Sequence, residues 1–307
     1  MIVKNNWLRS NDLERIRSRI IKAGLEQVVN YPVSKEVFGD AGVSVCIFKV
    51  TSGYTGSLRY KEIRGGNIAA TYEADIRNIN SSGSYGVIPT SKEQIEIINK
   101  LKQYINRYGN YSSNVRPAEA FRITSNGAIG RGESRKWLPV QDEPDQDHDI
   151  RVYFRDHVSY IERHEVPSRK LMGIVDDYKV ICGRGINDDK TVLSNIGIIP
   201  PKSVCTATWG IVFNSPDKDT ALRAAKYMQT RIARYLIKLG SCDGLIVVGP
   251  DIFRFVPEID LSAANSQQIP WTGTLEQIDS RLQQILGFSD EAMAEINSKV
   301  EYIKKKD

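Results

Sequence analysis

The sequence predicts an α/β segment at the start of the chain, then an α+β body closed by C-terminal helices. Three observations predict it. Residues 1–50 alternate a helical apolar period with short apolar runs of strand length, the order of an α/β unit. Residues 111–213 hold short β-rich runs between polar loops, with no regular alternation of helix and strand. From residue 219 onward, helical periodicity with recognisable caps dominates.

In chain order, Asn11-Asp12-Leu13-Glu14 reads as a capping box, and Leu13, Ile16, Ile20 and Ala23 recur at helical spacing until Gly24 stops the helix. A strand from Leu25 to Tyr31 follows. It ends at Asn30-Tyr31-Pro32 and is joined to the apolar run Val43–Phe48 through Val37-Phe38-Gly39-Asp40-Ala41-Gly42, read as a hairpin turn. Residues 51–90 are rich in Gly, Ser, Asn and Tyr, with the alternating run Leu58–Ile63, and a domain boundary is expected near residue 65. Ser91 to Gln94 is a second capping box. It opens a helix with Ile95, Ile98, Leu101 and Ile105 on one face, ended by Gly109.

Residues 111–150 are polar and close on the acidic cluster Asp142, Glu143, Asp145, Asp147 and Asp149, read as a solvated loop facing away from any polyanion. Strands are expected at Val152–Phe154, Lys179–Cys182 and, after Pro200-Pro201, over the long run Val204–Phe213. Residues 219–239 read as one amphipathic helix with Ala221, Ala225, Met228, Ile232, Leu236 and Leu239 inward. Thr274-Leu275-Glu276-Gln277 caps a further helix, and Ser289 begins the last one after Gly287-Phe288. There is no internal repeat.

Composition bounds the function classes. The 307 residues suffice for two domains, and 41% apolar with 26% charged residues is ordinary for a globular protein. No stretch is long and apolar enough to span a bilayer, and the N-terminus lacks a signal-peptide pattern, so a cytoplasmic location without membrane partners is expected. Cys46, Cys182, Cys205 and Cys242 form no C-x-x-C pair, which predicts reduced thiols rather than disulfides or zinc. His148, His157 and His164 show no metal-ligand spacing. The net charge of +5 is compatible with a polyanionic partner.

Several segments resemble one family. Met1-Ile2-Val3-Lys4-Asn5-Asn6-Trp7-Leu8 with Leu13-Glu14-Arg15-Ile16-Arg17 resembles the strand and helix that follow the catalytic motif of TaqI-like adenine-specific DNA methyltransferases. Asn30-Tyr31-Pro32 and Val37 through Phe48 resemble the next two strands, and Ser203-Val204-Cys205-Thr206-Ala207-Thr208 resembles a strand of the specificity domain. Arg254-Phe255-Val256-Pro257, Ile269-Pro270-Trp271-Thr272 and Leu286-Gly287-Phe288-Ser289-Asp290-Glu291 resemble the closing segment of type II and type IIG restriction–modification methylases.

The resemblance implies that residues 1–65 are the remnant of a Rossmann-like methyltransferase domain. Residues 66–268 would be an α+β target-recognition domain, and 269–307 a C-terminal helical segment. It implies double-stranded DNA as partner, with the missing methyltransferase half or another restriction–modification subunit as a second. S-adenosylmethionine would be the methyl donor of the parent enzyme. The family's Asn/Asp-Pro-Pro-Tyr/Phe motif and glycine-rich cofactor loop are absent from these residues, since Pro200-Pro201 stands between Ile199 and Lys202. No catalytic residue, bound cofactor or metal is therefore expected in this chain alone. By position, Phe38 resembles the aromatic that packs against a flipped adenine.

Reading a DNA site requires cations for phosphates and polar groups for base edges. The loop holding Arg122, Thr124, Asn126, Arg131, Arg135 and Lys136 supplies both. Arg184 and Lys190 form a second candidate, and Lys202 with Thr206 a third. On the 219–239 helix, Arg223, Lys226, Arg231, Arg234 and Lys238 fall within roughly 140° of one another, a basic stripe. Two other readings stay open. Asp145, Asp177 and Lys179 match the loose pattern of a metal-dependent restriction nuclease. The other is a separately encoded, non-catalytic specificity subunit that assembles with a catalytic partner.

Overall fold

In the computed structural model, the described residues are 1–10, 12–32, 44–77, 86–117, 119–130, 134–186, 191–241 and 246–303. The chain opens with β1 (Ile2–Lys4), a 3₁₀ turn (Asn5–Leu8), α1 (Glu14–Gly24), β2 (Leu25–Tyr31), β3 (Val45–Val50), β4 (Leu58–Arg64) and β5 (Asn67–Ala74). They build one five-stranded sheet in the order β1-β3-β2-β4-β5. β3 lies antiparallel between β1 and β2, and β2 is parallel to β4, so β1, β2 and β4 all run the same way.

Gly24 ends α1 where expected, at φ 109°. A side chain there is forbidden twice over, because an added Cβ would lie 2.1 Å from the Thr51 carbonyl oxygen. Asn11 of the expected capping box and the turn with Phe38 lie outside the described residues. The residue preceding α1 is Leu13, with no side-chain cap.

The expected boundary near residue 65 is instead the turn of a hairpin. β4 and β5 pair from Leu58↔Ala74 to Arg64↔Asn67 within the same sheet, and the glycines at 65 and 66 take positive φ to make the turn. The first segment is also bound to the last third of the chain. Buried Arg254 donates to the carbonyls of Arg9, Gly240 and Asp251.

α2 (Lys92–Tyr108) begins at the expected cap, Ser91, whose hydroxyl accepts from the Gln94 N–H. The Gln94 side chain in turn accepts from the N–H of Thr90. β6 (Ala128–Ile129) and β7 (Lys136–Trp137) form a short hairpin. β8 (Ile150–Tyr153) is flanked by β9 (Val158–Ile161), and after α3 (Met172–Val175) come β10 (Tyr178–Gly183), β11 (Gly185–Ile186) and β12 (Gly197–Ile199). The run expected as one strand over Val204–Phe213 is two, in different sheets. β13 (Ser203–Cys205) pairs parallel with β8, and β14 (Trp209–Ser215) pairs antiparallel with β10.

The sheet β12-β10-β14 divides two apolar cores. Val180, Cys182 and Val212 enter the larger, which joins the five-stranded sheet, α2 and the C-terminal helices. Ile181, Ile199 and Ile211 enter the smaller, built on β8, β9 and β13. Cys46, Cys182 and Cys205 are free and buried. Burial pushes their thiols up, to about 11 for Cys46 and about 12 for the other two, so they are protonated and inert at neutral pH.

The helix expected over 219–239 is two helices, α4 (Lys218–Gln229) and α5 (Arg231–Gly240). Thr230 between them is extended (φ −63°, ψ 151°), and its hydroxyl caps Ala233 N–H. After β15 (Ile246–Val247), paired with β11, α6 (Leu275–Leu286) carries the expected capping box from Thr274 and Gln277. Gly287 ends it in the left-handed region, and α7 (Asp290–Lys299) starts from Ser289. Among the described residues, no helix is long and apolar enough to cross a membrane.

Candidate nucleic-acid interface

Among the described residues, two places that gather polar and cationic groups bear on the sequence candidates or on the strand ends. The first follows from strand direction. Because β1, β2 and β4 are parallel, their carboxyl ends open together, and ligands of α/β sheets collect at such ends. A crevice of about 580 Å³ lies there, bounded by Asn5 and Asn6 after β1, Asn30 and Pro32 at the end of β2, and Glu62 and Arg64 at the end of β4. The start of α2 and the ends of α5 and α7 complete it, bringing in Thr90, Lys238 and Lys299.

Its floor is a buried hydrogen-bonded chain. Asn5 Nδ2 donates to Asn30 Oδ1 (3.2 Å), Asn30 Nδ2 to the Tyr60 hydroxyl (3.1 Å), and that hydroxyl to Glu62 Oε2 (3.3 Å). Burial and the negative Glu62 push the Tyr60 phenol far above its ordinary value, so it stays a proton donor. Arg64 Nε closes on Glu62 Oε1 at 2.7 Å, and Arg9 reaches Thr90 Oγ1 at 3.1 Å. Such a crevice can hold a polar or anionic group. Among the described residues, no glycine-rich turn leads from these strand ends into a helix.

The second place is the β6–β7 hairpin and the strand before it. Arg122, Asn126, Arg135 and Lys136 are exposed, and Thr124 is half-buried. The Thr124 hydroxyl bonds Ala128 N, Ala128 O and Asn126 Oδ1, which fixes the turn around Gly127. Arg122 sits in the left-handed region at φ 58°. The Arg135 guanidinium lies 5.2 Å from the ring centre of Trp137. Arg131 lies outside the described residues, as do Lys190 and Phe38.

The remaining sequence candidates are occupied elsewhere. Arg184 pairs with Glu119 at 3.2 Å, and Lys202 with Asp149. Thr206 is 1% exposed and bonds Thr208, so it presents nothing to a ligand.

The basic stripe does not form, because the helix breaks at Thr230 and its cations turn inward. Arg223 Nε donates to Leu261 O (2.6 Å), and Lys226 Nζ to Trp271 O (2.6 Å). Arg231 stacks over Tyr302 at 3.7 Å and donates to Asn297. Arg234 is wholly buried, with its guanidinium on the carbonyls of Thr191, Thr230 and Glu301.

The nuclease pattern loses its lysine in the same way. Lys179 is buried, and its ammonium donates to the carbonyls of Val175 (3.0 Å) and Asp177 (2.6 Å) at the end of α3. Burial pulls its pKa down to about 8. Asp177 accepts from Asn214, and Asp145 from His148 and Gln141. Among the described residues, no group of three or more His, Cys, Asp and Glu side chains is placed to hold a metal ion.

Sequence reasoning missed Trp137 and the crevice. Trp137 had a signal, an aromatic directly after Arg135-Lys136. The crevice had none, since it exists only once the strand ends at Lys4, Tyr31 and Arg64, far apart along the chain, are aligned by pairing.

No protein-family model and no curated protein matches the chain. Two solved structures are similar over 97% of it. One is the type IIL restriction-modification enzyme MmeI, solved in complex with DNA, with a TM-score of 0.51 and 10% identity over 48% of that chain. The other is the type IIG restriction endonuclease BpuSI, with a TM-score of 0.33 and 9% identity over 45% of that chain. The chain spans about half the length of each. The mixed α/β architecture, with several sheets and seven α-helices among the described residues, is thus of a kind found in a restriction-modification enzyme.

Proposed function

We propose that this chain is the DNA-recognition part of a restriction–modification enzyme whose complete form methylates adenine. The observation that carries the reading is the fold shared with MmeI, an enzyme solved on DNA, across nearly the whole chain. The strand order β1-β3-β2, with α1 between β1 and β2, supports placing residues 1–50 at the close of a Rossmann-like catalytic sheet. S-adenosylmethionine would supply the methyl group in the complete enzyme, held and used by residues other than these.

This chain's own work is binding and orientation. Arg122, Arg135 and Lys136 would neutralise backbone phosphates, while exposed Asn126, in the turn that Thr124 fixes, would meet base edges. The polar crevice at the ends of β1, β2 and β4 would face the catalytic partner and the DNA it acts on. Fluorescence anisotropy with a mixed-sequence 30-base-pair duplex, followed by selection from a randomised pool, tests this. Binding that weakens steeply with salt and a recoverable preferred sequence are expected; salt-independent binding without sequence preference refutes it.

A further inference from the structure

The β6–β7 hairpin carries a side chain that the fold does not use. Trp137 is 65% exposed, whereas Trp7 and Trp271 are buried and the indole of Trp209 donates to Phe154 O. An indole left in water forgoes the burial that makes tryptophan a good core residue, and exposed aromatics mark contact surfaces.

The mount beneath it is rigid. Ala128 and Leu138 are buried, Leu138 N–H donates to Gly127 O, and the Phe154 ring packs against Gly127 so closely that a Cβ there would lie 3.1 Å away. Because this mount is already fixed in the fold, its backbone gives up little freedom when the exposed ring enters a partner.

The flanking chemistry selects the partner. Ser134, Arg135 and Lys136 are all exposed, and the Arg135 guanidinium already sits at the ring. An aromatic hot spot for another protein sits within a ring of contacts that exclude water. Here the side leading into Trp137 is polar and cationic, which suits phosphates on either side of a stacked base.

We propose that Trp137 is a stacking wedge that enters a base-pair step of duplex DNA, with Arg135 and Lys136 on the adjoining phosphates. The inference rests on the DNA-recognition reading and adds to it a named deformation of the duplex at a named residue.

The test uses the full chain with the 30-base-pair duplex, comparing wild type, Trp137→Phe and Trp137→Ala. Because the other three tryptophans are buried or bonded inside the fold, acrylamide quenching reports mainly Trp137. DNA is expected to quench wild-type emission and shield it from acrylamide, and both changes should vanish in Trp137→Phe. Trp137→Ala should bind about 5- to 150-fold more weakly, the worth of one base stacked on an aromatic ring, with its salt slope unchanged. Trp137→Phe should bind within about threefold of wild type, the ring being retained. If wild type binds with salt dependence but Trp137→Ala matches it in affinity, the wedge is wrong and the DNA reading stands. If no variant binds duplex at all, both fail.

Discussion

Replacing Arg234 by alanine separates two roles that a helical cation can have. If its guanidinium braces the fold, the loss appears in stability and leaves DNA binding alone; if it touches phosphate, the reverse holds. Three of its hydrogen bonds run to the carbonyls of Thr230 in the break between α4 and α5, Thr191 before β12, and Glu301 after α7. Hydrogen bonds from a charged donor contribute about 1.5–3 kcal/mol each, and the carbonyls lose these donors. Relief from burying the guanidinium offsets part of that loss. A net destabilisation of about 3–5 kcal/mol follows, at the large end for a single substitution, as expected when a buried hydrogen-bond network is broken. Arg234→Lys should recover less than half, because one ammonium cannot span three carbonyls on separate segments. Urea unfolding followed by far-UV circular dichroism gives the stability, and anisotropy across a salt series gives the slope of log K against log salt. Stability within about 0.5 kcal/mol of wild type, together with a slope smaller by about 0.9, would make Arg234 a phosphate contact after all.

Three further outcomes follow from other parts of the fold. Gly24→Ala places a methyl group against the Thr51 carbonyl at a backbone angle that only glycine tolerates, so a loss of about 2–4 kcal/mol is expected by thermal or urea unfolding. Glu26 accepts from Lys49, Thr51 and Arg59, which hold its pKa down at about 2 against an ordinary 4.5. The unfolded chain therefore takes up its proton first, and stability falls as pH drops from 4.5 toward 2; Glu26→Gln should flatten that part of the profile. Lys179 is lowered to about 8 from 10.5, so between those values the unfolded chain holds more protons than the folded one. Wild type should gain stability relative to Lys179→Met as pH rises through that window, measured by urea unfolding at fixed ionic strength.

Local signals in the sequence were enough for elements that local chemistry ends. Gly24 must be glycine, and the end of the helix it closes and the strand Leu25–Tyr31 fall at the expected residues. Ser91, Thr274 and Ser289 each accept from the N–H three residues on, as their caps imply.

What long-range contacts decide was not readable. The apolar period of 219–239 runs unbroken through Thr230. The break is held by Asp279, 48 residues away, whose carboxylate accepts the N–H groups of Arg231 and Ile232 at the new helix start. Once α5 begins there, Arg234 points inward. The run at 204–213 divides for the same reason, its halves finding β8 and β10 as separate partners. At residue 65 the turn-rich composition of a domain linker and that of a hairpin are the same. For the interface, basic and polar residues at 122–136 were visible as a class, but which cations remain exposed depends on acceptors supplied from elsewhere in the chain.

The most direct measurement is the salt dependence of duplex binding by wild type and by the combined Arg122→Ala, Arg135→Ala, Lys136→Ala variant. Removing three cations from the phosphates, at about 0.9 each, should lower the magnitude of the slope by about 2.7, with unfolding unchanged because all three side chains are exposed. An unchanged slope in a folded variant would contradict the placement of the DNA on this hairpin.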